Sequence, residues 1–200
     1  FLFSAKTCYN SSSEIYPIMP TIQLPTSSQK LILDIARTSI KAEMDRSISV
    51  SFDIDDPVML SYCGVFISLY KRGQLRGCIG TITSDQPLYK LVAEMAVAAA
   101  TRDPRFPPVR AAEIRDLEIE LSVLTPPEPV VDITEIEIGR HGLYITQGQQ
   151  SGLLLPQVAV THHLDRLSFL AQTCLKADLP TDAWQSEQTQ IYRFSAEVFG

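Results

Sequence analysis

The 200-residue sequence lacks three features that would assign it to a common functional class. It has no uninterrupted apolar stretch of about 18 residues, so we expect no transmembrane helix. It has no run of basic residues, and its formal net charge is -6. Proteins that bind nucleic acid or anionic membranes need clustered Lys and Arg, so we predict neither kind of partner. The sequence also contains no internal repeat.

Metal-ligand and disulfide patterns are absent as well. The three histidines form no zinc-type pattern with nearby carboxylates, and the four cysteines lack metal-ligand spacing. We therefore predict no metal site, no cofactor, reduced thiols and a cytoplasmic location. The residues concerned are Cys8, Cys63, Cys78, Cys174, His141, His162 and His163.

What the sequence does contain is enough apolar material for a substantial core. It is 45% hydrophobic and 20% charged, which is typical of one globular domain, with or without a small additional lobe. Residues 1–26 show little periodicity, so we predict an arm or linker there and a folded domain over residues 27–200. Helical periodicity predicts helices over about residues 29–45 and 88–101.

The stretch Leu75-Arg76-Gly77-Cys78-Ile79-Gly80-Thr81 combines a thiol, a cation and two glycines. It follows an apolar run and a four-residue polar turn, which predicts a β-hairpin pairing Ile67 with Cys78. Alternation places Arg76, Cys78 and Gly80 on one strand face. An arginine near a thiol favours the reactive thiolate. Gly80 would leave this face open to a ligand, and Gly77 lies within the same candidate site.

A packed core thiol is the alternative interpretation of Cys78. In the predicted register, Val65, Ile67 and Leu69 share its face, and unpaired cysteine is among the most frequently buried residue types. A bulge near Gly77 would re-aim the thiol and change this assignment.

The stretch Arg102-Asp103-Pro104-Arg105-Phe106-Pro107-Pro108 contains three prolines that stiffen a loop. Such a loop would display Arg102, Asp103, Arg105 and Phe106 as a ligand-binding rim. The alternative is a structural turn in which Asp103 pairs with a local arginine.

Two residues are candidates for acid–base work beside Cys78. Residues 117–123 alternate apolar and polar side chains, which predicts a strand with Glu118 and Glu120 on its polar face. Glu120 is a candidate general base, although such pairs are usually a solvated strand face. His141 lies in a glycine-bracketed turn and is the other candidate partner for Cys78.

Four blocks of the sequence together resemble the AMMECR domain family, also called AmmeMemoRadiSam system protein A. They are residues 75–81, 102–108, 121–129 and 152–159, and the similarity spans about residues 27–200. The last block adds Gln157 as a ligand-binding candidate. The resemblance implies an α+β fold with a mainly antiparallel sheet, packed helices and two lobes with a cleft between them. It also implies association with a Memo-like protein and a radical SAM enzyme.

Two functional hypotheses follow. The first is a binding module for a small ligand or a protein, acting with the Memo-like and radical SAM partners through a cleft around the Cys78 motif. The alternative is an enzyme in which Cys78 is the nucleophile, Arg76 stabilises the thiolate, and His141 or Glu120 moves protons. A radical SAM partner would carry its own iron–sulfur cluster, so neither hypothesis assigns a cofactor to this chain.

Overall fold

The computed structural model describes residues 23–45, 47 and 49–200. Residues 1–22, which make up most of the predicted arm, lie outside this described part. The chain divides into two compact units. The first contains the described residues up to Leu124 together with Glu197–Gly200, and the second contains Thr125–Ala196.

The first unit contains an antiparallel sheet and two helices. Its elements are α1 (Thr26–Met44), β1 (Gly64–Lys71), β2 (Gln74–Thr81), α2 (Leu88–Thr101) and β3 (Leu117–Leu124). A short 3-10 helix, Ala111–Asp116, precedes β3. The order of these three strands is β2-β1-β3, and both pairings are antiparallel.

Small residues bring α2 close to the sheet. The alanine-rich face of α2 packs on β1 and β2, and Gly77 of β2 lies directly against its backbone. A Cβ at Gly77 would collide with the carbonyl oxygen of Ala99. Apolar side chains from both helices and from one face of the sheet complete the core, among them Ile32, Ile35, Ile40, Ile67, Leu69, Leu88, Leu91 and Leu121.

The β1–β2 hairpin has a different register from the predicted one. Its turn has two residues, Arg72 and Gly73, because Lys71 pairs with Gln74. Both turn residues have positive φ, 54° and 74°, as a type I′ turn requires. The pairing then shifts between Leu69 and Tyr70.

Arg76 is the extra residue at this shift, since Tyr70 pairs with Leu75 and Leu69 pairs with Gly77. This β-bulge moves the pairing by one residue, so Cys78 lies opposite Ser68 and the predicted Ile67–Cys78 pair is wrong. A shift of one residue exchanges the two faces of a strand. Cys78 therefore does not share a face with Ile67 and Leu69.

The second unit is also α+β and has its own core. Its elements are β4 (Glu128–Pro129), β5 (His141–Gln147), β6 (Gln150–Leu154), α3 (Pro156–Thr161), α4 (Arg166–Lys176) and β7 (Gln190–Phe199), whose last three residues belong to the first unit. Strand β7 pairs with both β4 and β5, and β5 forms a hairpin with β6, all antiparallel. Helix α4 packs on β5 and β6 around buried apolar residues that include Phe169 and Leu170.

The predicted α+β class with a mainly antiparallel sheet and packed helices is confirmed. The cleft between two lobes stays a prediction. None of the helices in the described residues is long and apolar enough to cross a membrane.

Candidate functional site

A row of polar side chains crosses the sheet face that points away from α2. Cys78 of β2 pairs with Ser68 of β1, and Ser68 pairs with Glu120 of β3. The Ser68 hydroxyl donates a hydrogen bond to the Cys78 Sγ at 3.4 Å, and the Tyr70 hydroxyl donates to Glu120 Oε1 at 3.4 Å. Burial, followed by the negative charge of Glu120, raises the pKa of Tyr70. We call Ser68, Tyr70, Cys78 and Glu120 the polar row.

A buried carboxylate fixes the proline-rich loop to the strand that carries Cys78. The Asp103 side chain is only 2% exposed, and its Oδ2 accepts a hydrogen bond from the Cys78 backbone N–H at 2.8 Å. Arg105 donates to both oxygens of Asp103, from Nε at 3.0 Å and from Nη2 at 2.7 Å. These bonds, led by those from Arg105, hold the pKa of Asp103 below its ordinary value. Asp103 is therefore a charged anchor at neutral pH.

Arg105 is held in place although its side chain is 55% exposed. Its Nη2 donates to the Cys78 carbonyl oxygen at 3.3 Å, and its guanidinium carbon lies 5.5 Å from the centre of the Phe106 ring. The pKa of Arg105 is raised, chiefly by its hydrogen bond to Asp103 and to a smaller extent by its interaction with Cys78. Arg105 is thus an ordered, solvent-facing cation beside Cys78.

Arg76, expected to act on the Cys78 thiolate, is engaged elsewhere. Its Nε and Nη2 donate to the Glu113 carboxylate at 3.3 and 3.2 Å. Its Nη1 donates to the Pro107 carbonyl oxygen at 2.7 Å, and Nη2 donates to that of Pro108 at 3.2 Å. The bulge at Arg76 permits this, because the alternation that would align Arg76 with Cys78 is interrupted. Arg76 secures the far end of the loop that carries Arg105.

Glu113 joins two cations. Its Oε1 also accepts from Lys71 Nζ at 2.8 Å. Hydrogen bonds from Arg76 first, and from Lys71 second, lower the pKa of Glu113 from 4.5 to about 2. The carboxylate is only 17% exposed, so solvent screens these interactions weakly.

Replacement of this carboxylate should destabilise the protein in a pH-dependent way. We expect Glu113→Gln to lower the free energy of unfolding by about 2 kcal/mol at pH 7. Because the folded-state pKa is depressed, the wild-type advantage is fully present above about pH 4.5 and declines as pH falls towards about 2. Urea unfolding of the wild-type and Glu113→Gln proteins between pH 7 and 3 measures this difference in free energy, with Glu118→Gln at an exposed position as control. A difference that does not become smaller at low pH would contradict the stabilising role of the Glu113 carboxylate.

The two glycines of the motif make room for protein rather than for solvent. Gly77 accommodates the backbone of α2 at Ala99. A Cβ at Gly80 would collide with the Val65 carbonyl oxygen and the Phe66 ring. The open face expected at Gly80 is therefore occupied by Phe66, and both glycines act by positioning the strand.

Three other candidates lie outside this cluster. Arg102 is the exposed C-terminal cap residue of α2. His141 belongs to the second unit, where it begins β5 and is only 7% exposed. Its Nδ1 accepts a hydrogen bond from the Glu137 backbone N–H at 3.0 Å, and burial, followed by the charge of Arg193, lowers its pKa. Gln157 lies in α3, and among the described residues its buried Oε1 has no hydrogen-bond partner.

A separate recess lies at the tip of the β1–β2 hairpin. It has a volume of about 370 Å³ and is lined by Lys71, Arg72, Gln74, Leu75 and Arg76. Two of its three cations are already paired with Glu113, so it has less free positive charge than its composition indicates.

Sequence reasoning missed Ser68 and Tyr70. They lie two residues apart in β1, so alternation places them on one strand face, and this spacing was the available signal. To place these two residues beside Cys78, the pairing of β1 with β2 must be known, and the bulge at Arg76 determines that pairing. Among the described residues, no group of three or more His, Cys, Asp or Glu side chains could hold a metal ion.

The chain is similar in sequence to known proteins of one family. The AMMECR1 family model matches residues 33–199. A protein from Methanothermobacter thermautotrophicus is 42% identical over 177 residues, covering 85% of this chain and 92% of its own. A Methanopyrus kandleri protein is 48% identical over 145 residues, covering 68% and 70%.

A solved structure agrees with these sequence matches. The crystal structure of an uncharacterized protein from Pyrococcus horikoshii has a TM-score of 0.82 and 37% identity, and the match covers 88% of this chain and 93% of that one. With the family model matching most of its length, the chain belongs to the AMMECR1 family.

Proposed function

We propose that this protein is a binding module whose ligand site is formed by Cys78, Arg105 and the polar row. The observation that carries the proposal is the state of Arg105. Its guanidinium is fixed by the buried Asp103, yet more than half of its side chain faces solvent. A cation that is already ordered loses little conformational entropy when it binds a ligand, which favours affinity.

The engagement of the candidate bases favours binding over catalysis. Glu120, the candidate base on the polar row, accepts a hydrogen bond from Tyr70. His141, the other candidate, belongs to the second unit and accepts from the Glu137 backbone N–H.

The alternative is an enzyme with Cys78 as nucleophile. One observation favours it: the Ser68 hydroxyl donates to the sulfur and the Arg105 guanidinium contacts the Cys78 backbone, and a donor and a cation close to a thiol are features of reactive cysteines. In that reaction the thiolate would form a sulfur–carbon bond as the bond from that carbon to a leaving group breaks, and Arg105 would take the role first expected of Arg76.

The proposal extends to protein partners. We propose that the module acts in the cytoplasm with a Memo-like protein and a radical SAM enzyme, as the family resemblance implies. The exposed loop around Arg105 and Phe106 would form part of the contact.

We expect Cys78→Ala to retain binding to a purified partner, and Arg105→Ala to weaken it at least tenfold in isothermal titration calorimetry. A folded Cys78→Ala protein that no longer bound either partner would contradict this version.

A ligand screen tests the binding site itself. Small molecules that raise the melting temperature of the wild-type protein should lose this effect in Arg105→Gln and keep it in Arg72→Gln. Arg72 is a matched control because it is an exposed arginine in the turn of the same hairpin. If every stabilising compound acted equally on both variants, the proposed site would be wrong.

A further inference from the structure

The hydrogen-bond donors of Arg105 are unequally used. A guanidinium has five N–H groups, of which two are on Nη1. The Nε group and Nη2 are engaged by Asp103 and by the Cys78 carbonyl oxygen. Within the part of the chain that the structure describes, Nη1 donates to no oxygen or nitrogen atom. Arg105 Nη1 is therefore held in a fixed orientation beside Cys78 and is available to acceptor oxygens of a ligand.

The acceptors around Arg105 are, in contrast, fully engaged. Asp103 Oδ1 accepts from the backbone and side chain of Arg105, and Oδ2 accepts from Arg105 and from the Cys78 N–H. The Asp103 carboxylate is buried and paired with Arg105, so it does not face an incoming ligand. The Glu120 carboxylate, which accepts from Tyr70 through Oε1 alone, lies at the other end of the polar row, on the far side of β1 from Cys78. The end of the site at Arg105 therefore offers donors and favours a ligand with acceptor oxygens.

We propose that the ligand carries a carboxylate, bound by Arg105 Nη1, with its adjacent carbon held next to the Cys78 thiol. This inference rests on the proposed binding function and names the ligand class of the same site. Planar carboxylates match the planar donors of arginine, and charge-assisted bonds of this type are the stronger ones. The Phe106 ring beside the guanidinium limits its movement and adds an apolar contact for the rest of the ligand.

Two alkylating reagents of nearly the same size and different preference for a cation provide the probe. Iodoacetate carries a carboxylate, and iodoacetamide is its neutral counterpart. In each reaction the Cys78 thiolate forms a sulfur–carbon bond as the carbon–iodine bond breaks, iodide leaves, and the thiol proton has gone to the buffer. The protein should have Cys8, Cys63 and Cys174 replaced by serine, so that mass spectrometry follows Cys78 alone.

The measured quantity is the rate with iodoacetate divided by the rate with iodoacetamide. We expect this ratio to be at least tenfold higher in the folded protein than in the same protein unfolded in urea. Arg105→Gln should bring the ratio back to the unfolded value, and Arg72→Gln should leave it high. Added salt should lower the ratio in the folded protein, because it screens the attraction to Arg105.

The outcomes separate this inference from the function on which it rests. If the ratios were equal in folded and unfolded protein and iodoacetamide reacted rapidly in both, the ligand would not be a carboxylate. The proposed ligand site at Cys78 and Arg105 would still stand. Failure of iodoacetamide to reach Cys78 in the folded protein would overturn the proposed site itself. If Arg105→Gln unfolds the chain, the wild-type comparison of the two reagents still decides the question.

Discussion

Replacing Asp103 with alanine is expected to lower the free energy of unfolding by about 3 kcal/mol. The substitution removes a 2%-exposed carboxylate that accepts from the Cys78 N–H and from Arg105. The strand would keep a backbone donor without a partner, and the loop would lose its attachment to the sheet. Urea unfolding followed by circular dichroism measures the change, with the exposed Asp116→Ala as control.

A second variant separates the charge of Asp103 from its shape. Asp103→Asn keeps one oxygen for the Cys78 N–H, so we expect a smaller loss, about 1 to 2 kcal/mol. If Asp103→Ala and Asp116→Ala were equally stable, the bonds from Asp103 to the strand and to Arg105 would not hold the loop, and the account of the site would be wrong.

Gly77→Ala is expected to destabilise the first unit by about 3 kcal/mol, at the upper end of the usual range for overpacking. The added Cβ would meet the backbone carbonyl oxygen of Ala99, which cannot move aside by changing a rotamer. Strand and helix would have to separate, and the packing of α2 on β1 and β2 would loosen.

The matched control for Gly77→Ala is Leu75→Ala on the same strand. Leu75 is 37% exposed, so its truncation should cost far less, within about 0.5 kcal/mol. Thermal unfolding of both variants tests the comparison. A Gly77→Ala protein as stable as Leu75→Ala would show that α2 does not pack closely on β2.

Local sequence patterns predicted the elements of the first unit well. The periodicity of the second helix gave residues 88–101, which are the observed limits of α2. Alternation over residues 117–123 gave β3, and Glu118 and Glu120 lie on its polar face as expected. These features depend on side chains that are neighbours in sequence, and such patterns are visible without tertiary structure.

The hairpin register was not predictable in the same way. The bulge at Arg76 is supported by Glu113, which lies 37 residues further along the chain. No residue pattern within β1 or β2 predicts that contact. The error in register assigned Cys78 to the wrong face of its strand, because the predicted register put it on the same face as Val65 and Ile67.

The site likewise depends on distant contacts. Cys78 and Asp103 are 25 residues apart, and the hydrogen bond between them exists only when the loop after α2 folds back on β2. The sequence singled out Arg105 as a rim residue and Arg76 as the cation near the thiol. Tertiary structure changes these roles, since Arg105 donates to the Cys78 carbonyl oxygen and Arg76 binds Glu113.

The accessibility of Cys78 in the folded protein tests the central claim most directly. Its rate of reaction with iodoacetamide should be measured at pH 8 in the variant with serine at positions 8, 63 and 174, before and after unfolding in urea. We predict that the folded protein reacts within about tenfold of the unfolded rate, because the thiol belongs to a preformed site. Reaction only as fast as the chain globally unfolds would make Cys78 a packed core residue and contradict the account.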